Sequence, residues 1–177
     1  MLPDVLLWLF PVVFVLHEAE ETVFLPGWLH RRRDWLSRRF PHLSPHLSPH
    51  LLPYIAGVSR RTFAGIAAEE LLLVVVATLW ASNTSFLYPW LALFLAFGVH
   101  LVVHLLQILI IRCYVPVMVT SLLGLACCGW GLRVLIGSGL FTLREYLLCG
   151  VAGCIVATVN LLAMHALAAR FRRRSAL

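Results

Sequence analysis

Long apolar runs separated by short polar turns dominate this chain. They fall at roughly residues 5–25, 63–81, 88–111, 115–136 and 147–169. Each run is close to the about 20 residues that a helix needs to cross about 30 Å of hydrocarbon. The pattern therefore predicts an all-α membrane protein, a bundle of about five transmembrane helices that forms a single membrane domain over residues 1–177.

The composition supports this prediction. The chain is 61% hydrophobic and only 12% charged, with a mean hydropathy of +0.90. A soluble domain of this size could not bury so much apolar surface, so the bilayer is the expected solvent. All 14 basic residues are arginines, which is typical of GC-rich bacterial genes, so a multi-pass protein of the bacterial inner (plasma) membrane is expected.

The positions of the arginines predict an orientation. The longest polar stretch, residues 30–61, contains seven of them and is predicted to be a cytoplasmic loop rich in Arg, His and Pro. Arg112 follows the third apolar run, and four more arginines lie in the C-terminal tail. Because cytoplasmic loops are enriched in basic residues, five spans with the N-terminus outside and the C-terminus inside are expected. This clustering beside apolar runs also argues against a nucleic-acid partner.

A near-perfect repeat, PHLS-PHLS-PHLL, occupies residues 41–52 of that stretch. Proline at every fourth position is incompatible with a regular helix, so the repeat is expected to be extended or turn-like. Its histidines His42, His46 and His50 could gather a metal ion. The alternative interpretation is a spacer on the membrane surface.

Ionisable residues interrupt the apolar runs at points where they cannot lie outside the membrane. Without the segment 17–21 (His-Glu-Ala-Glu-Glu), the first run would be only about 18 Å long, which is too short to span. The same holds for the second run without Glu69 and Glu70, and His100 and His104 lie deep within the third. The fifth run adds Asn160 and His165, whereas the fourth has no internal ionisable residue and is expected to be scaffold.

The depth of these groups predicts a shared site. Counting along each helix places them at about one level, in the cytoplasmic half of the membrane. A carboxylate near mid-membrane costs about 2.5–3.5 kcal/mol, so several persist only if they are paired, protonated, hydrated or bound to a cation. His17, Glu20 and Glu21 share one helix face, and His100 and His104 are spaced i, i+4, so both sets can converge.

These considerations predict a divalent transition-metal site, with iron, zinc or manganese as the ion. The predicted ligands are His17, Glu20, Glu21, Glu69, Glu70, His100 and His104. Gln107, Asn160 and His165 are expected to support the ligands by hydrogen bonding. Which glutamate of each pair is the ligand, and whether one or two ions bind, stays open at this point. The five cysteines show no CxxC spacing and are expected to be reduced core residues.

The string His17-x-x-Glu20-Glu21 resembles the signature of the HXXEE family of small bacterial membrane proteins. Further resemblance lies in the pair Glu69-Glu70, in His100-x-x-x-His104 and in the turn 114–116 (Tyr-Val-Pro) that leads to Thr120. The resemblance implies a membrane fold and supplies no reaction. Histidines with carboxylates on facing helices are also similar to di-iron bundle proteins, although the ExxH order is reversed here. His17 and Glu21, with a glutamate on the next helix, are similar to the acid pair of sterol-isomerase-like membrane proteins.

Three functions follow from such a site. The first is a metal-dependent enzyme, with a mononuclear or di-iron centre, acting on a lipid-like substrate as an oxidoreductase or a hydrolase. The second is a metal-free acid–base enzyme, isomerase-like, in which Glu21 and Glu69 handle protons as the catalytic pair. The third is a carrier for protons or metal ions, since chains of His and Glu form relays in membranes. The alternative to all three is a structural role in locking the helices together.

Overall fold

Five α-helices make up all the regular structure in the part of the chain that the computed structural model describes, residues 4–40 and 60–174 (without the side chains of residues 169 and 171–174). They are α1 (Asp4–Arg39), α2 (Arg60–Thr84), α3 (Tyr88–Ile111), α4 (Met118–Ser138) and α5 (Leu143–Arg174). The predicted all-α bundle is confirmed. The PHLS repeat and its three histidines lie outside the described residues.

Helices α2, α3, α4 and α5 are each long and apolar enough to cross a membrane. Their outward faces are apolar as well, with Leu109, Leu147 and Leu162 each more than 60% exposed. The chain is therefore a multi-pass membrane protein. Helix α1 is long enough to span, but its apolar run ends in the acidic segment at residues 18–21. A fifth span through α1 stays a prediction, as does the orientation.

Helix α1 is longer than the hydropathy pattern predicted. It continues to Arg39, so residues 30–39, predicted to belong to a loop, are helical. The reason is a second apolar cluster, in which Trp28 and Leu36 are buried against Val115 and Val117 of the α3–α4 connection. The apolar positions of this extension recur every three to four residues, which gives the helix a packed face beyond Pro26.

Aromatic side chains join α1 to α3. Phe10 makes edge-to-face contacts with Trp90 and Phe94, at ring-centroid distances of 5.8 and 5.6 Å. Trp90 is fully buried and donates its indole N–H to the carbonyl oxygen of Leu7 at 3.3 Å. A buried Trp needs such a partner, and this one fixes the height of α1 against α3. The aromatic cluster thereby determines which residues of α1 and α3 face each other in the next turns of the two helices.

Small residues allow α5 to pack closely against α3, and α4 to pack closely against α1 and α3. A Cβ on Gly153 of α5 would lie 2.0 Å from the backbone oxygen of Ala92, so α5 and α3 touch backbone to backbone. On α4, Gly124 accommodates the Leu101 side chain, and Gly131 accommodates Leu6 and Phe94. Membrane helices use small residues in this way to gain van der Waals contact. As a result, the first turn of α4 lies beside the polar part of α1.

Candidate metal centre

Four side chains from two helices converge where α1 and α3 face each other. His17 and Glu21 occupy successive turns of α1, and His100 and His104 occupy successive turns of α3. The i, i+4 spacing places both members of each pair on one helix face, as the sequence predicted. Each residue offers one ligand atom, and these four atoms all lie within 4.8 Å of one another.

The distances within this cluster match the size of a bound metal ion. His100 Nε2 lies 3.3 Å from His17 Nε2 and 3.0 Å from His104 Nε2. Glu21 Oε2 lies 3.8, 3.8 and 3.4 Å from the Nε2 atoms of His17, His100 and His104, respectively. Ligands at about 2.0–2.1 Å around a tetrahedral ion are about 3.3–3.4 Å apart, in the middle of these five distances. The remaining pair, His17 and His104, lies within the 4.8 Å that bounds the whole cluster.

The outer nitrogens of two of the histidines have hydrogen-bonding partners, and one of these partners fixes the tautomer of its histidine. His104 Nδ1 lies 3.2 Å from the amide oxygen of Gln107, and His17 Nδ1 lies 3.0 Å from Thr120 Oγ1. An amide oxygen only accepts, so His104 carries its proton on Nδ1 and directs a bare Nε2 into the cluster. Such hydrogen bonds to the far nitrogen orient metal-binding histidines in many proteins.

The cluster contains fewer N–H donors than hydrogen-bond acceptors. If His17 likewise donates its Nδ1 proton, to Thr120, then Nε2 of both rings is unprotonated and only His100 can supply a hydrogen to the centre. That single N–H would face three acceptors, two imidazole nitrogens and the Glu21 carboxylate. Buried polar groups that face one another in this way cost free energy unless each finds a partner. One divalent cation would satisfy all four lone pairs together.

Burial differs among the four side chains. His17 is fully buried, and the side chains of His104 and Glu21 are 8% and 13% exposed. Phe97 packs against His17, with the two rings edge to face at a centroid distance of 5.7 Å. The His100 side chain, in contrast, is 41% exposed. The centre is therefore closed on the inside of the bundle and open at His100.

Glu20, predicted to be a ligand, contacts α4 and lies outside the four-residue cluster. Its Oε2 accepts hydrogen bonds from the hydroxyl of Thr120 at 2.5 Å and from the backbone N–H of Thr120 at 3.2 Å. Thr120 is in the first turn of α4, where backbone N–H groups have no partner within the helix. The expectation that the fourth helix is only scaffold is therefore wrong, because α4 contributes Thr120 to the surroundings of His17.

The second glutamate pair lies on α2. Glu69 Oε2 accepts a hydrogen bond from Asn160 of α5 at 2.8 Å, so this predicted ligand and this predicted supporting residue do meet, away from the four-residue cluster. Glu70 is half-buried and lies within electrostatic range of both Glu18 and Glu21. Glu18, which follows His17 on α1, is half-buried as well. His165 is half-buried on α5.

The structure thus brings together four of the seven predicted ligands, His17, Glu21, His100 and His104, and places Gln107 on His104 as predicted. Thr120 is the contact that site prediction missed. A threonine in an apolar helix gives no signal by itself. Its position in the first turn after a Tyr-Val-Pro segment was the available hint.

Comparison with known proteins is consistent with the geometry and adds no reaction. None of the curated proteins and none of the solved structures match this chain. One family model matches residues 8–131, well over half of the chain, and it covers all four residues of the cluster together with Glu20 and Thr120. The chain belongs to the family described as proteins of unknown function with an HXXEE motif, and that motif is His17-x-x-Glu20-Glu21.

Proposed function

We propose that His17, Glu21, His100 and His104 bind one divalent transition-metal ion and that the protein is a metal-dependent membrane enzyme acting on a lipid-like substrate. The observation that carries the first part is the convergence of four ligand atoms within 4.8 Å, with the His104 tautomer fixed so that its Nε2 lone pair points inward. Neutral imidazoles and a carboxylate are the forms in which these residues bind metals.

The ligand chemistry narrows the choice of ion. Three nitrogens and one carboxylate oxygen suit zinc, iron or manganese, and the cluster contains no thiolate. Bound in this centre, such an ion would supply Lewis acidity toward a substrate oxygen or water, or redox chemistry in the case of iron. The residues of the chain would hold the ion and fix the histidine orientation, and Phe97 packs against His17 on the buried side.

The exposure of His100 supports a lipid-like substrate. Val99 and Val103, its neighbours on the same surface of α3, are 49% and 43% exposed. A molecule that approaches the centre from this side passes over apolar side chains of α3, and α3 is apolar enough to span a membrane. Hydrophobic substrates dissolved in the bilayer can take this path, whereas strongly polar solutes pay a large desolvation penalty on it.

The enzyme proposal is tested by incubating purified, metal-loaded protein in detergent with a total lipid extract of its expression host and following lipid masses over time. We expect one lipid class to be consumed in samples that contain wild-type protein and to persist in samples that contain Glu21→Gln protein instead. Unchanged lipid profiles with wild-type protein loaded in turn with zinc, iron and manganese, with and without oxygen, would contradict a catalytic role.

One specific observation favours the alternative of a metal-free acid–base enzyme. Glu18, Glu21 and Glu70 lie within electrostatic range of one another between α1 and α2, which is the arrangement that would let carboxyl groups share protons. This candidate predicts that protein stripped of metal keeps full activity on the same lipid extract. The metal-dependent candidate predicts that stripped protein is inactive until the ion is restored.

A further inference from the structure

We infer that the two glutamates of the HXXEE motif have different tasks: Glu21 is a ligand, whereas Glu20 is a positioning residue that acts through Thr120 to hold His17 in the tautomer that binds metal. The inference rests on the proposed metal site. It concerns a chain of three side chains from α1 and α4, Glu20, Thr120 and His17, that ends at a ligand atom.

The Thr120 hydroxyl has one proton and two close polar neighbours. Its oxygen lies 2.5 Å from Glu20 Oε2 and 3.0 Å from His17 Nδ1, while a third neighbour, the Val117 carbonyl oxygen, is 3.5 Å away. A separation of 2.5 Å is typical of an O–H group that donates to a carboxylate. The backbone N–H of Thr120 donates to the same Glu20 oxygen, which confirms that oxygen as an acceptor.

The direction of this hydrogen bond determines the next one. Because the hydroxyl proton is directed at Glu20, the Thr120 oxygen is left with lone pairs toward His17. His17 must then carry its proton on Nδ1 and donate it to Thr120. Its Nε2 is consequently bare, and this is the atom that lies 3.3 Å from His100 Nε2 inside the cluster.

The backbone of α4 reinforces this arrangement. Thr120 is the third residue of α4, and no side chain of the preceding residue caps this helix end. A carboxylate at a helix N-terminus is favoured by the free N–H groups and by the helix dipole. Val117, just before the helix, is buried with φ at 89°, a conformation that β-branched residues rarely adopt. This strained turn starts α4 where Thr120 can reach α1.

The spacing of the motif explains why both glutamates are needed. From His17, Glu20 is at i+3 and Glu21 is at i+4, so both flank the imidazole on one helix face. Glu21 reaches the Nε2 side and the cluster, whereas Glu20 reaches α4 and the Nδ1 side through Thr120. Glu21 supplies negative charge to the ion, and Glu20 fixes the orientation of the His17 ring that binds the ion.

The experiment compares full-length protein, purified in detergent, with the variants Thr120→Val, Thr120→Ser and Glu20→Gln. Two quantities are measured: the Kd for Zn²⁺ in a competition titration, and the ¹⁵N signals of His17 in metal-free, histidine-labelled protein. The matched control is Thr78→Val, since Thr78 is a fully buried helical threonine whose hydroxyl, among the described residues, bonds within its own helix to the Val74 carbonyl oxygen.

We expect Thr120→Val to weaken Zn²⁺ binding by about 10–100-fold, the range seen when a partner of a metal-binding histidine is removed. Thr120→Ser should restore nearly wild-type affinity because it returns the hydroxyl, and Thr78→Val should leave the Kd unchanged. In wild-type protein the ¹⁵N signals should show His17 with its proton on Nδ1, and in Thr120→Val they should show a mixture of tautomers. Glu20→Gln should weaken binding less than Thr120→Val does, because its amide oxygen can still accept from the Thr120 hydroxyl but no longer carries the negative charge that favours this bond.

Two results would overturn the inference. Wild-type affinity in Thr120→Val would remove the role of Thr120, and loss of all metal in Glu20→Gln with no effect of Thr120→Val would make Glu20 a ligand. The tautomer of metal-free protein is measured independently of any ion. If wild-type protein bound no metal but held His17 in the Nδ1–H form through Thr120, the proposed function would fail while the positioning contact stood.

Discussion

The Nε2 atoms of His100 and His104 lie 3.0 Å apart on successive turns of α3. Two imidazoles on one helix come this close only when both rings turn toward a common point, which here is the position faced by His17 and Glu21 of α1. Since a neutral pair can share one hydrogen at most, the arrangement makes the two rings a better pair of ligands than a pair of hydrogen-bonding partners.

Loss of any one of the four cluster residues should weaken metal binding more than loss of a supporting contact. We expect His17→Ala, His100→Ala and Glu21→Ala each to raise the Kd for Zn²⁺ by more than about 100-fold, because each removes a bond to the ion and not only an orienting group. Competition titrations with a chromophoric chelator measure this directly. His30→Ala, at an exposed position of the α1 extension, is the control and should bind as wild type.

The glutamates of α2 test whether the centre holds one ion or two. Glu69 accepts a hydrogen bond from Asn160, and an amide oxygen at the same position still accepts it, so Glu69→Gln should keep the wild-type metal content. Glu70→Gln should behave likewise if the four-residue cluster is a complete mononuclear site. A drop from two bound ions to one in either variant, measured by elemental analysis, would instead support the dinuclear centre that the sequence left open.

The arginine distribution predicts the topology of the chain, and this prediction has a simple test. Reporter fusions after Ser175 and within the PHLS repeat should both give cytoplasmic signals, because both flank arginine clusters. A reporter at the N-terminus should lie outside if α1 crosses the membrane. A cytoplasmic signal from the N-terminal reporter, with the other two also cytoplasmic, would mean that α1 does not span and that only four helices do.

Close packing of α5 on α3 should be sensitive to one added methyl group. Gly153→Ala would put a Cβ 2.0 Å from the backbone oxygen of Ala92, so the two helices must separate. Such overpacking costs about 1–3 kcal/mol, and it should lower the thermal midpoint of the protein in detergent. Gly129→Ala on α4 is the control, since a Cβ at this position meets no described atom within 4 Å. This substitution should leave the thermal midpoint unchanged or raise it slightly, because alanine favours a helix more than glycine does.

Helical spacing was enough to predict much of this site. The i, i+4 pairs His17/Glu21 and His100/His104 are visible in the sequence, and the lengths of the apolar runs predicted that both pairs lie at membrane depth. The contact between Glu20 and Thr120 could not be predicted from the sequence. It depends on the turn at Val117 and on the placement of α4 by Gly124 and Gly131. The end of α1 was misjudged because hydropathy falls after Leu25, although Trp28 and Leu36 continue the packed face.

The most direct test is the metal content of purified full-length protein and of His104→Ala, after loading with zinc, iron or manganese and removal of unbound ion. His104 is chosen because it has the shortest contact to Glu21, at 3.4 Å, and its removal leaves the α1 residues in place. We predict about one equivalent of tightly held ion in the wild type, as four ligands around one site require, and a sharp fall in the variant. Folded wild-type protein that retained none of the three ions, or a His104→Ala variant that retained as much as the wild type, would contradict a metal centre formed by these four residues.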